Sequence, residues 1–190
     1  MARWQPDARE RLVTAALDLF NERGYDQTTV ALIAERAGLT KSTFFRHFPD
    51  KRDVLAAGQE TIAQLLREGI AAAPADATPL AAVCSGLKSA AAAFTSSNRD
   101  LAPRLKAAIA ASTELQARNA LKQIGLAAAM AEALQTRGVP APTAVLAAEL
   151  AALAFKTAYA RWAEPGEEQD LGTIACAALR ELHAAAADLG

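Results

Sequence analysis

The sequence predicts an all-α protein. Almost every segment between turn residues spaces its apolar side chains three and four apart, and alternating β-branched and aromatic runs between tight turns are nearly missing. Helix caps and stops flank those segments and divide the chain into about nine helices: three at the N-terminus, a long fourth, and five more beyond it.

The first helix runs from about Asp7 to Arg23. Asp7 and Glu10 have the spacing of a capping box, Leu12, Ala16, Leu19 and Phe20 form one apolar stripe, and Gly24 supplies the stop. Thr28 or Thr29 caps the second helix, whose Val30, Ile33, Ala34 and Ala37 point inward before Gly38 turns the backbone. Thr40 caps a third helix of about two turns through Arg46. Phe44 and Phe48 face inward there, and Lys41, Ser42, Thr43 and His47 lie on its exposed side or N-terminal end.

Pro49 stops the third helix, and Asp50 caps a fourth from about Lys51 to Ala72, ended by the Pro- and Ala-rich run 73–79. Helices near 79–96, 99–111, 113–137, 142–163 and 168–188 follow, with breaks at Ser96-Ser97-Asn98, Ser112, Gly138-Val139-Pro140 and Glu164-Pro165-Gly166. The division expected is 1–50 for the small module and 51–190 for the larger domain.

At 190 residues and 52% hydrophobic, the chain can bury one sizeable core, or a small module plus a larger one. With 20 basic and 21 acidic side chains, no whole-protein positive field draws it to nucleic acid, so any such attraction is local. Leu39 to Arg52 supplies that locality, with Lys41, Arg46, Lys51 and Arg52 against Asp50 alone. Short helices joined at Ala37-Gly38-Leu39, the second basic and rich in hydroxyls, are how a helix-turn-helix meets the major groove.

Cys84 and Cys176 lack metal-ligand spacing and read as buried free thiols in a reducing cytosol, with no metal and no cofactor. The N-terminus has no signal-like apolar core, and Glu149, Lys156 and Arg161 interrupt the apolar stretches short of a membrane span, so a soluble cytoplasmic protein is expected. The only histidines, His47 and His183, have no nucleophile context, and phosphate loops and HExxH are missing, so an enzyme is not expected.

Gly24-Tyr25, TTV at Thr28 to Val30, IAERAGL at Ile33 to Leu39 and STFFRHFPDKRDVL at Ser42 to Leu55 resemble the DNA-binding domain of the TetR/AcrR family of ligand-responsive regulators. The resemblance implies phosphate contacts from Thr29 and the Lys51 region, and base or backbone contacts from Lys41, Ser42, Thr43, Phe45 and His47, with Thr28 counted among the DNA-binding residues. Two departures narrow it. Phe45 stands where members commonly carry a tyrosine that donates to a phosphate, and Ala31 stands where many carry a polar residue that reads a base. Readout is therefore expected chiefly from the third helix.

The resemblance further implies a C-terminal effector-binding and dimerisation domain, joined through the fourth helix acting as a lever. Its last two helices would pair with those of a second subunit, through Ala147, Ala148, Ala151 and Ala152 with Leu171, Ile174, Ala178 and Leu182. Such a homodimer reads a palindromic operator in double-stranded DNA, with recognition helices about 34–36 Å apart.

Pocket candidates are the apolar Phe94, Leu105, Ile109, Leu126, Met130, Phe155, Tyr159 and Trp162 and the polar Arg104, Asn119 and Gln123. The C-terminal half loosely resembles effector domains that accommodate acyl-CoA-like or other elongated apolar molecules. Repression released by a small, largely apolar effector is the expected sign, and activation uses the same parts. The alternative is a helical protein-interaction module whose helix-turn-helix is vestigial, to which Ala31 and Phe45 lend support.

Overall fold

The computed structural model describes residues 8–189, and among them every regular element is helical. In chain order they are α1 (Ala8–Arg23), α2 (Val30–Arg36), α3 (Lys41–His47), a 3-10 turn (Lys51–Ala56), α4 (Gln59–Ala71), α5 (Pro79–Ala91), α6 (Ser96–Ala110), α7 (Thr113–Thr136), α8 (Ala141–Trp162) and α9 (Leu171–Ala187). The expected cap at Asp7 lies outside the described residues. Two compact units result, one running up to Ala57 with Leu101–Leu121, the other Gly58–Asp100 with Lys122 onward. Helices α6 and α7 each pass from one unit into the other.

In the first unit, α2 and α3 have seven residues each, too short to hold a helix alone. Both depend on packing against the Leu12, Leu19 and Phe20 stripe of α1, where Ile33, Phe44 and Phe48 are almost fully buried. Ala108 of α6 and Leu115 of α7 close the same core. Gly24 and Gly38 both take positive φ, 81° and 64°, ending α1 and α2 in the left-handed conformation that glycine reaches without penalty. At Gly38, the Gly38 amide donates to Glu35 and the Leu39 amide to Ala34, which satisfies the open carbonyls of α2.

The fourth helix begins later than its sequence pattern suggests. Lys51–Ala56 is a 3-10 turn, Gly58 sits at φ 77°, and α4 proper starts at Gln59. Asp50 does not cap through its side chain; its carboxylate stands 3.5 Å from the Arg52 guanidinium instead. A left-handed glycine between the two segments interrupts the amide ladder, so Lys51 to Ala72 is not one rod. Similarly, Ser96 to Asn98 opens α6 instead of breaking the chain, because the Asn98 carboxamide oxygen accepts from the Thr95 amide at 2.8 Å.

The second unit packs α4, α5, α7, α8 and α9 around a core in which alanine is the commonest buried side chain of α8. Small residues let helices approach closely: a Cβ placed on Gly69 of α4 would lie 2.8 Å from the Gly86 Cα of α5. The Arg137 guanidinium, just past α7, donates to the Ile70, Ala71, Ala73 and Pro74 carbonyls and caps α4 from outside.

Three expectations change here. Cys84 and Cys176 are joined in a disulfide with Cα atoms 5.4 Å apart, because α5 and α9 pack side by side and bring the two positions into bridging range. Ala147, Ala148, Ala151, Leu171, Ile174 and Ala178 are buried within the chain's own core, where α8 pairs with α9. They are not a free face for a second subunit; Val145, Leu146 and Leu153 are the large apolar side chains α8 leaves exposed. Finally, α8 is long and apolar enough, by length and composition, to cross a membrane, against the expectation that its charges keep it short of a span. Its alanine stripe is nonetheless committed to protein packing.

Candidate nucleic-acid interface and effector cavity

The polar face of α3 is assembled from its cap outward. Thr40 Oγ1 accepts from the Thr43 amide at 3.1 Å and lies 3.0 Å from Thr43 Oγ1, so the first turn is closed by side chains on the outer surface. Lys41 and Ser42 are exposed, and Thr43 is half-buried beside them. A cation at the N-terminal end of a helix works against the helix dipole, at about 0.3–1 kcal/mol. Lys41 keeps that position, and a polyanion placed there would reverse the balance.

Phe45 projects outward at 55% exposure while its neighbour Phe44 is fully buried, the two rings meeting edge to face at 5.6 Å. His47 is half-buried, with Nε2 shut off from solvent and without a hydrogen-bond partner among the described residues. Thr29 is the exposed N-cap of α2; its Oγ1 accepts from the Leu32 amide at 3.3 Å and keeps its own proton for an outside acceptor.

Two residues counted as DNA-binding, Thr28 and Lys51, are engaged inside the fold. Thr28 is 1% exposed, and its hydroxyl lies 2.8 Å from the Gly24 carbonyl and 3.2 Å from that of Leu19. It braces the turn before α2 and offers nothing outward, a correction of the sequence expectation. Lys51 Nζ donates to the carbonyls of Tyr25 at 2.6 Å and Thr28 at 2.8 Å and sits 4.0 Å from the centre of the Tyr25 ring. Two of its three protons are spent there. Burial, reinforced by Asp50 and Glu114, pushes the Tyr25 phenol up to about 12.

A set of ion pairs inside the first unit escapes sequence reading because its members are sixty to ninety positions apart. Asp53 of the 3-10 turn meets Arg118 of α7 at 2.9 Å, Arg52 meets Glu114 of α7 at 3.0 Å, and Asp18 of α1 meets Arg104 of α6 at 3.0 Å. Asn21 of α1 adds a hydrogen bond to the Arg104 carbonyl at 3.0 Å. Arg104 and Leu105, proposed for a ligand pocket, thus belong to the first unit, where Leu105 and Ile109 pack on its core; Asn119, half-buried on α7, lies in the same unit.

The second unit gathers most of the other pocket candidates. Gln123, Leu126, Met130 and Phe155 line one cavity with Ile62, Leu66, Leu87, Ala90 and Ala152. Its free space is about 10 Å³, room for one water molecule. Phe94, Tyr159 and Trp162 form an aromatic cluster joined to it through Phe155, with Phe94 5.6 Å from both Phe155 and Tyr159. Tyr159 donates to the Asn98 carbonyl at 3.4 Å, and burial raises its pKa. The Arg99 guanidinium covers Trp162 at 5.4 Å.

Residues 12–57 match the family described as bacterial regulatory proteins, tetR family. The transcriptional regulator TcmR of Streptomyces glaucescens is 35% identical over 80 residues, covering 42% of this chain and 35% of TcmR. The chain spans about a third of the length of the curated relatives it matches first. Across the whole fold, a TetR-family regulator from Syntrophomonas wolfei superposes with TM-score 0.61 at 20% identity, covering 95% of each chain. The TetR-family repressor FadR of Thermus thermophilus, solved with lauroyl-CoA, gives TM-score 0.50 at 25% identity over 92% of this chain and 93% of that one. Residues 12–57 thus carry the tetR-family DNA-binding domain on a capped helix-turn-helix, and the chain shares the all-helical fold of these TetR-family structures.

Proposed function

We propose that the chain is a cytoplasmic, ligand-responsive repressor that binds a palindromic operator as a homodimer and is released by a small, largely apolar effector. The observation that carries this reading is the outer face of α3, where Lys41, Ser42 and Thr43 stand on a buried Phe44 and Phe48. A lysine there reaches guanine acceptors, and threonine donates to a base edge or touches a thymine methyl. Thr29 supports the reading as a phosphate donor that positions α3 without reading sequence. The dimer surface we assign is the exposed side of α8 at Val145, Leu146 and Leu153.

Coupling runs through α6 and α7 in preference to α4. The two helices carry Arg104, Glu114 and Arg118, the ion-pair partners of α1 and the 3-10 turn, and both continue into the unit that holds the cavity. An effector shifts the equilibrium only by binding one arrangement better than the other. With space for one water, the cavity favours the effector-free arrangement; an elongated apolar molecule must move Phe155 or Ile62 to enter. Eight apolar lining residues and the single amide of Gln123 suit an aliphatic chain with one polar group, and the lauroyl part of FadR's lauroyl-CoA is such a chain.

Titrating a labelled duplex from the region upstream of the protein's own gene tests the reading, with anisotropy for affinity and sedimentation for stoichiometry. Two chains per palindrome and a steep fall in affinity with salt are expected. No binding above that to unrelated duplex contradicts the proposal. The 55% exposure of Phe45 favours the interaction-module alternative, which predicts that second outcome.

A further inference from the structure

We propose that the Cys84–Cys176 bond is a reversible redox latch on α5, the helix that forms one wall of the cavity; this rests on the proposed function of the second unit as the effector-binding part of a cytoplasmic regulator. In a reducing cytoplasm, disulfides are usually transient and redox-sensing, which makes a bond at this place more than a staple.

Helix α5 is held on two sides. Toward α4 the contact is backbone to backbone: a Cβ on Gly86 would lie 2.9 Å from the Leu66 carbonyl oxygen. Toward α9 the contacts are the disulfide and Gly172, whose added Cβ would lie 3.3 Å from the Lys88 Cα. Leu87 and Ala90, on the same helix, line the cavity. With the disulfide closed, α5 cannot slide on α9 and the cavity stays at about 10 Å³. With it open, non-covalent packing alone holds α5 there, and the wall gives way more readily to an effector.

The chemistry needs a low-molecular-weight thiol of the glutathione class as reductant. Cys84 is half-buried and Cys176 is 5% exposed, so attack begins at the Cys84 sulfur. The small thiolate bonds to Cys84 Sγ, the protein S–S bond breaks, and Cys176 leaves as a thiolate that takes a proton. A second small thiolate attacks the other sulfur of the mixed disulfide, freeing Cys84 as a thiol and releasing the oxidised small disulfide. Two electrons pass to the protein, and the reverse exchange closes the latch.

The full-length protein is equilibrated in mixtures of reduced and oxidised glutathione. Free thiols are counted by alkylation and mass spectrometry, and amide hydrogen exchange is followed on α5. The latch predicts interconversion of disulfide and dithiol within those mixtures and at least tenfold faster exchange at Leu87 to Ala90 in the dithiol form. Cys84→Ser in oxidising buffer should exchange like the reduced wild type; should that variant not fold, the wild-type comparison decides alone. A bond that resists a large excess of reduced glutathione, or equal exchange in both forms, overturns the proposal. Duplex binding is measured in parallel: its loss in both redox states sinks the regulator reading, while the exchange data still judge the latch.

Discussion

The Lys51 ammonium donates to the Tyr25 carbonyl at 2.6 Å and lies 4.0 Å from the centre of the same residue's ring, so one side chain ties the 3-10 turn to the corner between α1 and α2. Lys51→Met leaves the Tyr25 and Thr28 carbonyls without their donor. A loss of about 1–3 kcal/mol in urea unfolding is expected, together with weaker DNA binding. A weaker affinity with unchanged stability would assign Lys51 to a phosphate alone.

Tyr25 also sets an alkaline limit. Its folded pKa, about 12, lies above the ordinary value of 10.0, so the neutral phenol is the form the fold favours. The stability it contributes is fully present below pH 10 and is lost as pH rises through about 12. Tyr159, also raised by burial, acts in the same direction. Comparing urea midpoints at pH 9 and 11.5, Tyr25→Phe should show a smaller drop than the wild type; an equal drop contradicts this origin.

The cap on α3 carries its own cost. Thr40→Ala removes the acceptor of the Thr43 amide and should destabilise by about 1 kcal/mol, read by thermal or urea unfolding. Thr40→Ser should restore most of it, since the hydroxyl alone makes the cap.

The two ion pairs that join the 3-10 turn to α7 should differ in weight. Asp53 and Arg118 are 21% and 27% exposed, whereas Arg52 and Glu114 are about half exposed. Asp53→Asn is therefore expected to cost about 1–3 kcal/mol, the range for a charge-assisted bond, and Glu114→Gln less than about 1 kcal/mol. Double-mutant cycles with Arg118 and Arg52 measure both couplings.

Removing the disulfide with Cys84→Ser and Cys176→Ser together should lower stability by about 2–4 kcal/mol, because the bond closes a loop with a sequence separation of 92. Urea unfolding of the double variant against the oxidised wild type reads this directly.

Local chemistry was the legible part of this protein. Thr29, Gly38, Thr40 and the Phe44 and Phe48 pair all stand where short-range rules of caps, turns and helical spacing place them. Illegible features are those in which the partner lies far along the chain. Lys51 looks like a free cation until the Tyr25 and Thr28 carbonyls fold over it, and Arg104 looks like a pocket residue until Asp18 meets it. Alanine made the last two long helices ambiguous: a small residue suits packing within a chain and between chains equally, and only the pairing of α8 with α9 resolves it. The break at Gly58 was hidden because 3-10 and α segments share nearly the same apolar spacing.

The measurement that tests the central claim most directly is fluorescence anisotropy of wild type and a Lys41→Ala, Thr43→Ala variant on the upstream duplex and its scrambled counterpart. Both side chains lie on the outer part of α3, so the variant should remain folded by circular dichroism. The account predicts that the wild type prefers the upstream duplex by at least a hundredfold and that the variant binds both duplexes alike, keeping its salt dependence. A folded variant that discriminates as well as the wild type would contradict the assignment of α3 as the reading helix.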